Sequence, residues 1–208
     1  FVMIDEFEAI VGDKFAITLI ACCGDQWITD ALSTVRVPWS TTRGNPDGWD
    51  DDVSIMFVAR NPLDWYRDYL IAVSEGLGEY PEVDEEAELV FKHLGKEPEV
   101  ALNVAAMNTI AQQPGFLSVK YKLYELALLP VASRVAYVDH DQIEKALPSF
   151  IERATGRTYD WSEVTPLSDY LPKENAPALL EQAEHHLRTE EAGCYRQMRQ
   201  YFSWREPT

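Results

Sequence analysis

The sequence has few cysteines, and their arrangement does not suggest a disulfide framework or a zinc site. Only Cys22, Cys23 and Cys194 are present. An odd number that includes an adjacent pair is not the pattern of a disulfide-stapled domain. No C-x-x-C motif or Cys/His spacing suited to zinc is present either. We therefore expect a cytoplasmic or otherwise reducing compartment and no bound metal, although a removed leader before Phe1 stays open.

Positive charge is also scarce, and long hydrophobic runs are missing. The chain has 18 lysines and arginines against 35 aspartates and glutamates, a formal net charge of −17. A general nucleic-acid binder needs basic surface to displace phosphate counterions, so we expect no nucleic-acid partner. We also expect no membrane span, because no apolar run reaches about 18 residues. An acidic surface of this kind favours solubility.

What the sequence does contain is enough apolar material for a sizeable core. Hydrophobic residues make up 46% and aromatic residues 12% of 208 residues. Three apolar runs bounded by turn signals predict buried strands, and the segments between them are long enough for crossovers, which favours parallel pairing. We predict a single three-layer α/β/α domain, 1–208, with a short, mostly parallel sheet and a helical C-terminal extension, 157–208. The predicted strands are 14–21, 53–59 and 134–139.

Helical periodicity fills much of the rest of the chain. Asp25 is predicted to cap the first helix. Pro148 is predicted to kink or split the helix over 141–154, and Gly156 is predicted to stop it. Residues 1–12 fit either a short strand or a helical turn, and residues 36–52 are predicted to be a loop. The other predicted helices are 25–35, 84–95, 98–112, 116–130 (with an apolar face that includes Leu126, Ala127 and Leu129) and 176–203.

The most informative stretch is VSIMFVARNPLDWYRDYLIAV, residues 53–73. It predicts a buried strand that ends at Arg60, then a helix that begins near Pro62, where a missing N–H costs little. A charged residue at the carboxyl end of a central strand is where α/β sheets bind ligands. The strand before it leads into a turn at Gly24 and a helix, a layout that suits an anion at the helix N-terminus.

Three segments, in order, resemble the sulfotransferase family. ITLIACCGDQWITDAL resembles the strand, 5′-phosphosulfate loop and first helix of that family, whose usual loop is PKSGTTW. IMFVARNPLDWYRDYL is similar to its R-N-P-x-D motif for the donor's 3′-phosphate, with Arg60, Asn61, Pro62 and Asp64 in place. VAYVDHDQIEKALPSFIERATG is similar to a late strand, acidic turn and helix. Together the three segments cover about a quarter of the chain.

The resemblance implies sulfuryl transfer from 3′-phosphoadenosine 5′-phosphosulfate to a hydroxyl acceptor, both small molecules. It implies no metal, and it places Gly24, Gln26, Trp27, Arg60 and Asp68 around the donor.

The chain departs from the family pattern at four kinds of position. Cys22 and Cys23 replace the loop lysine and serine. Asp25 and Gln26 replace two threonines, and Asp68 replaces a serine of the 3′-phosphate site. The nearest equivalent of the family's H-x-P base is Arg36-Val37-Pro38, and an arginine cannot act as a base.

Several other residues have both a structural and a chemical interpretation. His140 is the only histidine placed for general acid/base work, at a strand end between two aspartates. Cys22 and Cys23 fit packing at a tight turn or an activated nucleophile. Asp47, Asp50, Asp51 and Asp52 fit a solvated acidic turn better than a cation site, because they do not follow the calcium-loop spacing.

The second functional hypothesis is a non-enzymatic protein that keeps the fold and has lost the donor site. An acidic surface and an aromatic C-terminal helix would then serve a structural or assembly role, for example in a viral particle. That helix fits either packing onto the sheet or an interface with a protein partner. Its aromatic and sulfur-containing residues are Tyr195, Met198, Tyr201, Phe202 and Trp204.

Overall fold

A computed structural model describes most of the N-terminal third of the chain and most of residues 121–171. The described residues are 7–20, 22–44, 46–65, 67–68, 121, 124–171, 181, 184–185, 187–189 and 192–200. The helices predicted over 84–95 and 98–112, and the aromatic residues after 200, lie outside these ranges. The chain forms two compact units, Phe1–Arg60 with Lys120–Tyr170 and Asn61–Val119 with Leu171–Thr208. The single-domain organisation stays a prediction.

The first unit contains a five-stranded mixed sheet with helices, so the general α/β prediction is confirmed. Its strands are β1 (Glu8–Val11), β2 (Phe15–Thr18), β3 (Ser40–Arg43), β4 (Ser54–Ala59) and β5 (Val135–Asp139). Their order across the sheet is β3-β1-β2-β4-β5. The three strands predicted from apolar runs are β2, β4 and β5, and they pair in parallel as expected.

The other two strands make the sheet mixed instead of mostly parallel. β1 pairs antiparallel with both β2 and β3. β1 decides the open question about residues 1–12 in favour of a strand, whereas the loop predicted over 36–52 is wrong at β3. The sequence of β3, STTR, is largely exposed and has no apolar residue. An edge strand of this kind carries no burial pattern from which it could be predicted.

Among the described residues, helix bounds are defined for α1 (Asp25–Thr34), α2 (Ile143–Thr155) and α3 (Ala192–Met198), and further helical residues occur outside these bounds. α2 continues through Pro148, so the predicted split is wrong. The predicted stop at Gly156 is confirmed, because Gly156 is left-handed with a φ of 67° and its N–H bonds the carbonyl of Glu152. Within the described part of the chain, no helix combines the length and apolarity that crossing a membrane requires.

Apolar faces of α1 and α2 contribute to the core of the first unit. β2 is buried along its whole length, and β4 is buried from its second residue onward. The rings of Phe15 on β2 and Phe150 on α2 meet edge to face with centroids 6.5 Å apart. Fully burying one such side chain contributes about 1.5–3 kcal/mol. The buried helical residues are Trp27, Ile28, Ala31 and Leu32 of α1 and Ile143, Leu147, Phe150 and Ile151 of α2.

The apolar face predicted for 116–130 is only partly buried in the described residues, where Ala127 is buried as expected. Leu126 and Leu129 are 57% and 64% exposed, so their predicted place on the buried face is wrong. Tyr121 and Tyr124 are buried instead. The Tyr124 hydroxyl donates to the Leu19 carbonyl at 2.6 Å, which satisfies its polar end. A buried tyrosine with a partner for its hydroxyl packs as well as an apolar residue.

Candidate functional site

The parallel strands β2, β4 and β5 have their carboxyl ends on the same side of the sheet, which we call its carboxyl edge. The register places Ala59, the last residue of β4, opposite Asp139, the last residue of β5. Beyond these ends lie the turn Cys22–Gly24, then Arg60, then His140. The carboxyl edge of parallel strands is the usual ligand side of an α/β sheet. The turn at Gly24, Arg60 and His140 therefore follow the carboxyl ends of parallel strands in the first unit.

The turn after β2 has an unusual backbone conformation. Cys22 and Gly24 have φ values of 60° and 85°, and the Cys23 N–H bonds the Ile20 carbonyl at 3.0 Å. Gly24 is the N-cap of α1, so Asp25 is the first helical residue and not the predicted cap. An aspartate in the first turn still favours the helix, because it faces the positive end of the helix dipole.

Arg60 joins this turn to the end of β4. Its side chain is buried, with 5% exposure, and its Nη1 donates to the Cys22 carbonyl at 3.0 Å. A hydrogen bond from a charged donor contributes more than a neutral one, about 1.5–3 kcal/mol. The cation expected to face a phosphate thus also fixes the main chain of the turn.

Tyr121 holds the main chain of Arg60 from the other side. Its hydroxyl accepts from the Arg60 N–H at 3.0 Å and donates to the Arg60 carbonyl at 2.9 Å. The same oxygen lies 4.0 Å from the Cys23 sulfur. Sequence reasoning missed Tyr121. The available signal was its spacing from Tyr124, since residues three apart share one face of a helix.

His140 packs directly against the turn. A Cβ atom at Gly24 would lie 3.3 Å from His140 Cδ2 and 3.6 Å from Nε2, so the glycine leaves room for the ring. The ring is 2% exposed, and Nδ1 lies 3.4 Å from a carboxylate oxygen of Asp141. His140 therefore sits at the predicted edge as a buried group.

Gln26 and Trp27 are held by contacts within the first unit. The Trp27 ring is 2% exposed, and its Nε1 donates to the Thr165 carbonyl at 2.8 Å. Gln26 is half-buried, and its carbonyl accepts from the Thr29 hydroxyl at 2.8 Å. The indole N–H of Trp27 thus anchors the 3₁₀ region near Leu167–Tyr170 to α1.

Asp68, the remaining predicted donor residue, belongs to the second unit. Its carboxylate is 3% exposed and accepts from Arg67 Nε at 2.8 Å. In the same helical segment, the Asn61 side chain accepts from the Leu63 N–H at 3.0 Å, as an N-cap residue does. The helix start predicted near Pro62 is confirmed, with residues 62–65 helical.

The Arg36-Val37-Pro38 segment forms the end of α1. Arg36 is left-handed with a φ of 59°, its N–H bonds Ser33, and the Val37 N–H bonds Leu32. This pair of hydrogen bonds is a Schellman motif, in which the left-handed residue is usually glycine. Arg36 is exposed and Val37 is buried against the first unit. The segment thus has a clear structural role as a helix stop.

The acidic turn and the cysteines complete the set of candidate ligands. Lys14 forms an ion pair with Asp52, and this hydrogen bond lowers the pKa of Asp52 and raises that of Lys14. Cys22 and Cys23 are both buried. Across the described ranges, no three histidine, cysteine, aspartate or glutamate side chains are grouped as metal ligands.

The chain matches no family model and has no significant match among curated proteins or solved structures.

Proposed function

We propose that this chain is a sulfotransferase-like protein whose donor turn has become a structural junction, and that the protein is a non-enzymatic binding or assembly component. The single observation that carries this proposal is the buried Arg60 guanidinium, which donates to the Cys22 carbonyl at 3.0 Å. In a donor site, the value of an arginine lies in the fork that it presents to a phosphate. Here part of that fork holds the main chain.

The electrostatics of the turn support the same proposal. The resembled loop uses a lysine to neutralise phosphosulfate oxygens, and Cys22 stands at that position. Asp25 is the first residue of α1, so its carboxylate competes with a bound anion for the positive end of the helix dipole. A like charge at that distance opposes binding most strongly where water is partly excluded.

We also propose a finer architecture for the chain and a protein partner. The finer architecture is a three-layer α/β/α arrangement with a helical C-terminal region, 157–208. A protein partner would meet the C-terminal helix, whose exposed side chains in the described part include Arg196 and Arg199. Tyr195 on α3 is 3% exposed, which favours packing for that residue over a direct interface role.

Calorimetry with 3′-phosphoadenosine 5′-phosphate tests the proposal, with an Arg60→Met variant examined in parallel. We expect no saturable heat at millimolar nucleotide in folded protein. We also expect Arg60→Met to lower the free energy of unfolding by about 1.5–3 kcal/mol, because a charge-assisted hydrogen bond is lost. Arg157→Met, at an exposed site in the same unit, is the matched control and should change stability by less than about 0.5 kcal/mol.

Donor-dependent sulfuryl transfer to a hydroxyl acceptor is the second candidate. It is favoured by one observation, the presence of the α1 N-terminus, Arg60 and His140 at one sheet edge. Saturable nucleotide binding that Arg60→Met abolishes, together with sulfation of a hydroxyl compound, would establish this function and overturn the structural role. Unchanged stability of Arg60→Met would also contradict the structural role.

A further inference from the structure

A cleft lies at the amino ends of β4 and β5. The turn at Gly24 lies at the other end of the parallel strands, beyond their carboxyl ends. It consists of two adjoining cavities of about 460 Å³ each, which share Asp51, Ser133 and Arg134 as lining residues. Each volume is within the usual range for small-molecule sites, about 300–1,000 Å³. All lining residues belong to the first unit.

Both halves of the cleft combine charged and apolar lining residues. Arg153 and Ser54 line the first cavity, and Phe150 with the start of β5 supplies its apolar wall. Trp49, Pro130 and Val131 line the second cavity. Each half therefore offers a charged group next to an apolar surface, which suits a ligand that carries both kinds of group.

The arginines offer donors for an oxyanion. Arg134 uses Nη1 for the main-chain carbonyls of Asp50 and Val53, and Arg153 uses Nε for the Ser149 carbonyl at 3.3 Å. Among the residues that the structure describes, neither guanidinium forms an ion pair with a carboxylate. Arg134 already acts electrostatically on the Asp52 carboxylate, which also lines the first cavity. In a chain with about twice as many acidic as basic residues, two arginines beside one cavity still suit a carboxylate-bearing ligand.

The aspartates offer an acceptor for a cation. Asp52 is already paired with Lys14, whose charge is also close to Asp13 and Asp50. Asp51 is exposed, lines both cavities and forms no ion pair within the described ranges. The cleft wall thus presents two guanidinium groups and one uncommitted carboxylate, a pattern that favours a ligand carrying both charges.

We infer that this cleft binds a small zwitterion, an α-amino acid with an apolar side chain. The ligand carboxylate would meet Arg134 and Arg153, its ammonium group would meet Asp51, and its side chain would contact Trp49 and Pro130. This site is separate from the junction at Arg60 and does not depend on the role proposed for that junction.

Isothermal titration with three matched compounds tests the inference on the full chain. L-phenylalanine carries both charges, 3-phenylpropionate lacks the ammonium group, and phenethylamine lacks the carboxylate. We expect L-phenylalanine to bind at least about tenfold more tightly than either analogue, a difference of about 1.4 kcal/mol. No saturable binding of L-phenylalanine up to its solubility, or equal affinity for all three, would overturn the inference.

Two charge-removing variants give a crossed pattern that a non-specific crevice would not produce. Arg153→Met should weaken L-phenylalanine and 3-phenylpropionate several-fold and leave phenethylamine unchanged. Asp51→Asn should weaken L-phenylalanine and phenethylamine and leave 3-phenylpropionate unchanged. Both positions are exposed, so folding should be retained. Arg157→Met and Asp169→Asn, exposed and outside the lining, are the controls, and equal loss in a control and its test variant would refute the assignment.

Discussion

One hydroxyl group holds the end of β4 in place. The Tyr121 oxygen bonds both the N–H and the carbonyl of Arg60, the residue at which β4 leaves the sheet. Both groups are buried, and a buried main-chain group without a partner costs about as much as a lost hydrogen bond. The guanidinium of the same residue bonds the Cys22 carbonyl. Arg60 is therefore fixed through its main chain and its side chain together.

Removing that hydroxyl should destabilise the first unit without changing its packing volume. We expect Tyr121→Phe to lower the free energy of unfolding by about 1–3 kcal/mol, because two buried main-chain groups lose their partner while the ring stays. Chemical denaturation followed by tryptophan fluorescence measures this difference. Tyr159→Phe, at a half-buried site, should stay within about 0.5 kcal/mol of wild type, and equal losses in both variants would contradict the role of Tyr121.

The position of Arg60 could be predicted from the sequence, but its contact with Tyr121 could not. Arg60 follows an apolar run and precedes Asn-Pro, so its position at a strand end can be predicted from local pattern alone. Tyr121 lies 61 residues further along the chain. A contact over that separation depends on tertiary structure. Hydrophobic periodicity favours leucines for the buried face, because the local sequence does not show which tyrosine hydroxyl groups find hydrogen-bond partners.

At the scale of elements, a residue with left-handed backbone conformation follows the C-terminus of both α1 and α2. Arg36 lies two residues after the last residue of α1 and Gly156 directly after the last residue of α2, with φ values of 59° and 67°. For Arg36 the cost of this conformation is offset by the two Schellman hydrogen bonds and the burial of Val37. At Gly156 no atom lies within 4 Å of a Cβ position, so only the backbone conformation favours glycine there.

Gly156→Ala should therefore destabilise the chain through backbone strain and not through a steric clash. We expect a loss of about 1–2 kcal/mol, the usual cost of a left-handed conformation for a residue with a Cβ atom. Gly156→Asn should lose less, because asparagine tolerates this conformation better. Urea unfolding of the two variants measures the difference. A loss with asparagine as large as with alanine would point to a contact and not to the backbone.

The elements that could be predicted are those whose local sequence contains an apolar run or a typical stop residue. β2, β4 and β5 are apolar along most of their length, and the Gly156 stop follows from one residue type. β3 could not be predicted, since its residues are polar and largely exposed and its strand conformation depends on pairing with β1. The conformation of an edge strand depends on hydrogen bonding to the neighbouring strand, and the local sequence pattern does not show that pairing.

At the scale of the whole molecule, the formal charge of −17 acts on every part of the chain. Repulsion among like charges destabilises a compact state, and salt screens it. The Debye length falls from about 30 Å at 0.01 M salt to about 8 Å at 0.15 M. Exposed ion pairs such as Lys14–Asp52 lose strength over the same range, but such pairs contribute little to stability. Net repulsion should therefore determine the sign of the salt effect.

We expect the thermal midpoint to rise when sodium chloride is increased from about 0.01 M to about 0.15 M, because the interactions that are screened are mainly repulsive. Differential scanning calorimetry at pH 7 measures the midpoint. The same ionic strength supplied as sodium sulfate separates screening from the strengthening of apolar burial, which sulfate produces and chloride does not. A fall of the midpoint in sodium chloride would mean that attractive pairs outweigh the net repulsion of the acidic surface. A rise confined to sulfate would assign the effect to burial.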